Sequence, residues 1–340
     1  MNKQVYVTRK ILEPAFSLLQ KECKVTLNKK PSPPARAELL KNVAGKHGIL
    51  CMLSDRMDAQ VMDAAGPNLR VISSYSTGFE HIDVKEATAR GIYVTYTADT
   101  LAEATADLTF ALILACARGI VNADRYVREN KWQVGWSPDL MLGHNVHGAT
   151  LGIIGLGRIG SAVAKRAKGF DMKILYHNRN RNQQLESEVG AKYVDLDELL
   201  AQSDFVSMHT SLNSSSRHMI NRNKIALMKR TSFLVNTARG QVVNEADLAR
   251  ALKTGKITGA ALDVFEKEPL PRSSPLMKMR NVILLPHIGS ATYHTRSKMA
   301  EVAARSLLDV LAGKEPDPKF LINPEVRKVR PLQTIAKELT

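Results

Sequence analysis

The chain has 340 residues, 44% of them hydrophobic and 24% charged, with a formal net charge of +15. That length suffices for two domains with their own cores, and the composition is that of an ordinary globular protein rather than a disordered or fibrous one. The start, M-N-K-Q-V-Y-V-T, has no long apolar core or small-residue cleavage site, and no run is apolar enough to span a bilayer. Neither secretion nor membrane insertion is therefore expected.

The excess lysines and arginines are scattered, with no dense basic run and no interleaved aromatics. Most read as solvated surface; the charge permits small anionic ligands and also nucleic acid, but with this scattering no nucleic-acid partner is expected. Cys23, Cys51 and Cys116 lie far apart and form no C-x-x-C pair, so reduced thiols, a cytoplasmic setting and no metal site are expected.

In chain order, Val5 to Thr8 reads as a strand and Leu12 to Leu19 as a helix. Residues Lys29 to Ala35, with three prolines, make a loop. A short helix over Glu38 to Val43 and a buried strand over Gly48 to Leu53 come next. Ala59 to Ala64, Val71 to Ser74 and Gly91 to Thr95 continue the α/β alternation. The turn after Ser74, Tyr75-Ser76-Thr77-Gly78, is a candidate ligand loop, because ligands of parallel sheets collect beyond strand C-termini.

Thr100 to Arg128 reads as one long helix, nearly apolar through its middle and therefore buried, the natural crossing between two domains. Trp132 to Gly148 holds both tryptophans, Pro138 and three glycines, and reads as an extended loop. Its tryptophans either anchor an interface or fold over their own core; the sequence leaves both open.

Thr150 to Arg181 organises the second half. An apolar run ends in Gly155, Gly157 and Gly160, spaced G-x-G-x-x-G. Ile159, Val163, Ala167 and Phe170 then recur at helical spacing, and a second apolar run comes after them at Ile174 to Tyr176. In a strand-turn-helix-strand unit the glycines allow the tight turn, the approach of a pyrophosphate and close helix packing, with phosphate on the helix N-terminus.

Further strands are expected at Asp204 to Met208, Ser232 to Asn236, Gly259 to Val264 and Val282 to Leu285, with helices over Asp197 to Ala201, Arg222 to Met228 and Glu245 to Leu252. Six strands with intervening helices make a doubly wound parallel sheet. A helix over Thr295 to Leu311 and a Pro-rich tail from Pro316 close the chain. The expected arrangement is an α/β dinucleotide domain, residues 101–289, inserted into a smaller α/β domain made of 1–100 and 290–340, with a cleft between.

Three strand ends carry reactive side chains: Arg239 in N-T-A-R-G, the acids of D-V-F-E-K-E-P and His287 in P-H-I-G-S. A His can move a proton to or from an oxygen near neutral pH. A carboxylate on its far nitrogen fixes the ring and favours the imidazolium. An Arg grips a carboxylate with two donors.

These motifs, in this order, resemble the D-isomer-specific 2-hydroxyacid dehydrogenases over nearly the whole chain. The shared stretches are G-L-G-R-I-G (155 to 160), N-T-A-R-G (236 to 240), L-D-V-F-E-K-E-P (262 to 269) and P-H-I-G-S-A-T (286 to 292). L-S-D-R-M-D (53 to 58) and Y-S-T-G-F-E-H-I-D (75 to 83) are most similar to the glyoxylate/hydroxypyruvate reductase branch. The resemblance implies a Rossmann cofactor domain within a flavodoxin-like substrate domain. It implies His287 as general acid, Glu268 rather than Glu266 as its partner because it immediately precedes the proline, and Arg239 on the carbonyl and carboxylate. Backbone N–H groups of Thr77 and Gly78 would hold the carboxylate. Leu53, Ser290 and Trp136 would line the pocket, the tryptophan coming from the partner of a homodimer.

The implied cofactor set comprises Leu156, Arg158 and Ile159 with the three glycines, then Asn178, Arg179, Asn180 and Arg181, and also Thr105, Thr237, Ala238, Asp263 and Gly289. An NAD-preferring fold carries an acid at the end of its second strand. Here that end reads Tyr176-His177-Asn178-Arg179-Asn180-Arg181, with no acid and two arginines that would pair with a 2′-phosphate. NADP(H) is thus the expected cofactor, with NAD(H) possible. The expected activity is reduction of glyoxylate to glycolate, with hydroxypyruvate to D-glycerate close behind. The alternatives are another D-2-hydroxyacid, 3-phosphoglycerate or phosphonate dehydrogenase of the family, or a dinucleotide-sensing corepressor. Glu268 argues against a formate dehydrogenase, whose family pattern has Gln there.

Overall fold

A computed structural model describes residues 3–339, and the chain divides into two compact units, Met1–Leu101 with Ala291–Thr340 and Ala102–Ser290. Each is built on one wholly parallel sheet, whose short strands read as continuous apolar runs because both faces are covered.

In the first unit β1 (Gln4–Val7), β2 (Lys24–Leu27), β3 (Gly48–Cys51), β4 (Val71–Ser74) and β5 (Tyr93–Thr95) lie in the order β2-β1-β3-β4-β5. Alternate residues face opposite layers. Val5, Val7 and Leu50 pack under the helix Tyr293–Leu311, through Ala300, Ala303, Ala304 and Leu307. Tyr6, Ile49 and Ile72 pack on the other side against Leu39, Val61 and Met62. Strand β2 was not expected from sequence: its pattern is largely half-buried, so its apolar signal is weak. The tail after Pro316 likewise holds two helices, Val326–Val329 and Leu332–Leu339, whose Val326, Leu332, Ile335 and Leu339 complete the same core.

In the second unit β6 (Thr150–Ile154), β7 (Lys173–His177), β8 (Lys192–Tyr193), β9 (Phe205–Met208), β10 (Phe233–Asn236), β11 (Gly259–Leu262) and β12 (Val282–Leu284) lie in the order β12-β11-β10-β9-β6-β7-β8. There are seven strands rather than the six expected. The extra one, β8, is two residues long at the edge and too polar to register as an apolar run. Leu151 and Ile153 face one layer, Ile154, Val206 and Met208 the other. The strand order reverses between β6 and β9, the switch point where such sheets bind ligands.

The expected long helix Thr100 to Arg128 is in fact two, Ala102–Arg118 and Ile120–Arg128, bent by 62°. Gly119 between them has φ +60°, the left-handed conformation that ends a helix and suits glycine. The first helix buries Thr105, Ala106, Phe110 and Ile113; the second buries nothing. Among the described residues no single helix is long and apolar enough to cross a membrane.

Candidate active site

The turn after β6 has the geometry its glycines predict. Gly155 has φ +102°, and a Cβ there would lie 2.7 Å from the carbonyl of His209 at the end of β9. A Cβ on Gly160 would lie 2.2 Å from the Gly155 carbonyl oxygen, so only glycine lets the helix Arg158–Lys168 pack this close to its strand. Gly157 faces open space, with nothing within 4 Å of a Cβ.

The first-turn N–H groups of that helix have no partner within it, and no acid stands there to compete for an anion. Leu156 N–H donates to Asn178 Oδ1 at 2.7 Å, which ties the turn to the end of β7. Glycines, open face and helix terminus together fit the diphosphate of a nicotinamide dinucleotide.

Beyond β7 the two arginines are not equivalent. Arg181 is engaged by Glu186, with Nε at 2.6 Å and Nη2 at 2.8 Å from its carboxylate. Tyr176 also donates to Glu186, at 2.5 Å. Its bonds to Arg181 and Tyr176 hold the Glu186 carboxyl down at about 2. Arg181, expected from the sequence to pair with a 2′-phosphate together with Arg179, is thus already engaged in this structure. Arg179 and Asn180 are exposed, and Arg179 makes no ion pair among the described residues. Glu186 escaped the sequence reading because it lies on the helix Gln183–Val189, which was not foreseen.

The reactive strand ends meet along the edge of the same sheet. Gly240 sits so tightly on the next loop that a Cβ would lie 1.8 Å from the Phe265 carbonyl carbon. This contact brings the loop bearing Arg239 onto the loop bearing Glu268. Asn236 braces the first of these, accepting Ala238 N–H at 3.0 Å and donating to the Arg239 carbonyl at 2.9 Å.

Asp263, buried at the end of β11, accepts Ile288 N–H at 2.7 Å and Gly289 N–H at 2.8 Å. Burial raises its carboxyl pKa despite those two bonds and the His287 charge. Thr105 donates to the Gly289 carbonyl at 3.2 Å, and the hydroxyls of Thr109 and Thr237 lie 2.8 Å apart. Four of the expected cofactor residues, Thr105, Thr237, Asp263 and Gly289, therefore tie these loops together.

So held, His287 Nδ1 stands 2.8 Å from Glu268 Oε2. His287 has φ +55°, a conformation few side chains adopt, as at many functional positions. Burial works to raise the Glu268 pKa. The His287 bond and charge, the Phe265 N–H and the Arg239 charge outweigh it and hold the carboxyl below its ordinary value. With Nδ1 on the carboxylate, Nε2 is the nitrogen left for chemistry. Glu266, the other acid of the motif, faces elsewhere: its carboxylate accepts Glu245 N–H at 2.9 Å.

His209 and Thr210 were missed by sequence reading, although polar residues at the end of an apolar strand could have signalled them. His209 carries the carbonyl against Gly155, its Nε2 lies 2.8 Å from Ser207 Oγ, and desolvation lowers its ring to about 3.

In the first unit, Leu53 is half-buried after β3 and Thr77 and Gly78 form the turn after β4. Ser290 is the last residue of the second unit and half-buried. Trp132 and Trp136 are 53% and 85% exposed, which excludes the reading that they fold over their own core.

A sequence profile described as "D-isomer specific 2-hydroxyacid dehydrogenase, NAD binding domain" matches residues 110–289. The chain is 50% identical to a glyoxylate reductase of Korarchaeum cryptofilum over 97% of its own length and 99% of the relative's. A solved structure from Thermus thermophilus superposes with a TM-score of 0.88 at 44% identity, over 94% of this chain and 99% of that one. An NADPH-dependent glyoxylate/hydroxypyruvate reductase of Sinorhizobium meliloti, solved with NADP and malonate, superposes with a TM-score of 0.83 at 29% identity, over 96% of this chain and 98% of that one.

Proposed function

The chain belongs to the D-isomer specific 2-hydroxyacid dehydrogenases, and on that premise we propose that it reduces glyoxylate to glycolate, and hydroxypyruvate to D-glycerate less readily, with NADPH preferred over NADH. That it is an NAD(P)-dependent oxidoreductase follows from the family itself. The observation that carries the proposal is the His287–Glu268 pair, 2.8 Å apart on the sheet edge that also bears Arg239 and the dinucleotide turn.

The turn Gly155–Gly160 would hold the nicotinamide dinucleotide, which would supply a hydride to the substrate's carbonyl carbon. His287 Nε2 gives its proton to the carbonyl oxygen, so the C=O becomes CH–OH. Glu268 stabilises the imidazolium before that transfer and orients the ring. Arg239 polarises the carbonyl and pairs with the carboxylate, and the family resemblance also assigns the N–H groups of Thr77 and Gly78 to the carboxylate. The absence of an acid between His177 and Leu185, and Arg179 standing exposed there, support NADPH.

A homodimer is part of the proposal. Residues 120–142 expose Val127, Trp132, Val134, Trp136 and Leu142, and exposed apolar side chains grouped in one segment are what a subunit interface would cover.

A panel of 2-oxo acids assayed with both cofactors tests the reading. Glyoxylate should give the highest kcat/KM, and NADPH should exceed NADH. No turnover on any 2-oxo acid would sink it and favour a dinucleotide sensor. In the same assay His287→Asn should abolish turnover while NADPH binding stays near normal; surviving turnover would remove His287 as the acid.

A further inference from the structure

Beneath the turn after β4 runs a chain of enclosed polar side chains that the reaction above does not use. Ser74, the last residue of β4, places Oγ 2.8 Å from Ser76 Oγ and 3.2 Å from His81 Nε2. The same His81 nitrogen lies 3.8 Å from Cys51 Sγ at the end of β3. Ser74, Ser76 and Cys51 are all buried. Ser76 Oγ in turn donates to the Gly78 carbonyl at 2.5 Å.

The backbone is pinned on the same side. Thr97 N–H donates to the Ser76 carbonyl at 2.9 Å, and Tyr75 N–H to the Cys51 carbonyl at 2.8 Å. His81 is itself fixed, its carbonyl accepting Met57 N–H at 2.8 Å.

These bonds decide where two of the turn's donors point. In a trans peptide the carbonyl of one residue and the N–H of the next face opposite ways. With the Ser76 carbonyl turned to Thr97, Thr77 N–H faces away from it. With the Gly78 carbonyl turned to Ser76 Oγ, Phe79 N–H faces away likewise. The N–H groups of Thr77, Gly78 and Phe79 donate to no acceptor among the described residues. Consecutive free N–H groups form a concave site suited to a carboxylate.

We propose that His81, acting through Ser74 and Ser76, is a positioning residue that holds the Thr77-Gly78-Phe79 N–H groups ready for the substrate carboxylate. The proposal rests on the reductase reading above. It adds Phe79 to the carboxylate donors and gives Ser74, Ser76 and His81 a role in substrate affinity. A turn pre-ordered in its binding conformation leaves less ordering to be done on association.

The test uses the full-length enzyme and three variants, Ser76→Ala, His81→Leu and His81→Asn. Four quantities are measured: KM and kcat for glyoxylate, the inhibition constant of oxamate as an unreactive carboxylate, the NADPH dissociation constant by fluorescence, and Tm. Ser76→Ala and His81→Leu should raise the glyoxylate KM and the oxamate inhibition constant together by about five- to tenfold, the scale of one net hydrogen bond. Saturated kcat and NADPH affinity should stay within about twofold on the same reasoning.

His81→Asn, which restores a polar group facing Ser74, should recover most of the oxamate affinity, a rescue that mere filling of space would not give. An unchanged oxamate constant in Ser76→Ala overturns the proposal, as does a loss of kcat at unaltered KM. Should His81→Leu fail to fold, the smaller change Ser76→Ala decides alone. A wild-type chain that reduces glyoxylate while the variants bind oxamate normally refutes this proposal only; a wild-type chain inert toward all 2-oxo acids refutes the parent reading and this one with it.

Discussion

Replacing Glu268 with Gln is the sharpest probe of the proposed acid. The amide keeps the side chain's shape and can still accept the Phe265 N–H, 3.1 Å away, but it removes the charge facing His287 Nδ1 at 2.8 Å. A charge-assisted hydrogen bond is worth about 1.5–3 kcal/mol. The two side chains are 37% and 35% exposed, so solvent screens the pair and the lower end applies. About 1.5 kcal/mol corresponds to about a tenfold change in rate.

The His287 bond and charge hold the Glu268 carboxyl below its ordinary value against the pull of burial, so the carboxylate partner persists as pH falls until that lowered value is reached. Glu268→Gln removes the charge at every pH and should lower kcat/KM for glyoxylate by about tenfold at neutral pH, with NADPH affinity unchanged. Glyoxylate reduction tracked by loss of NADPH absorbance at constant ionic strength measures this. An unchanged kcat/KM would refute the electrostatic role of Glu268.

The other predictions concern the dinucleotide turn and the arginines beyond β7. Arg179→Ala should lower the NADPH-to-NADH ratio of kcat/KM roughly tenfold, whereas Arg181→Ala should change it less, because Glu186 already engages that guanidinium. Glu186→Gln should raise the ratio by releasing Arg181; equal effects of the two arginine changes would refute the distinction. Gly157→Ala meets open space and should leave Tm unchanged while weakening NADPH binding by about tenfold, the scale of a lost charge-assisted contact. Gly160→Ala drives a Cβ onto the Gly155 carbonyl and should cost about 1–3 kcal/mol in urea unfolding. A Gly157→Ala enzyme with normal NADPH affinity would show that the diphosphate does not approach there.

The amino-acid sequence by itself determined the elements whose information is local. Apolar runs such as Leu151 to Ile154 and Phe233 to Val235 read as buried strands, and the spacing of Gly155, Gly157 and Gly160 after one of them reads as a tight turn into a helix. Because reactive residues fell directly after such runs, Arg239, Glu268 and His287 were legible as one edge of one sheet. What depended on partners distant in the chain was decided only by the tertiary structure.

The two-residue edge strand Lys192–Tyr193 exists because Tyr176 and Leu175 lie beside it, not because its residues favour a strand. The bend at Gly119 hides in an apolar stretch that reads as continuous helix, since one glycine lowers helix propensity without forbidding the helix. The occupation of Arg181 by Glu186 and the seating of Gly240 on Phe265 are facts about neighbouring loops. So is the lock of His81 and Ser74 beneath the turn at Thr77. Such contacts are set by how strands of one sheet register against each other, and a linear pattern carries no record of that register.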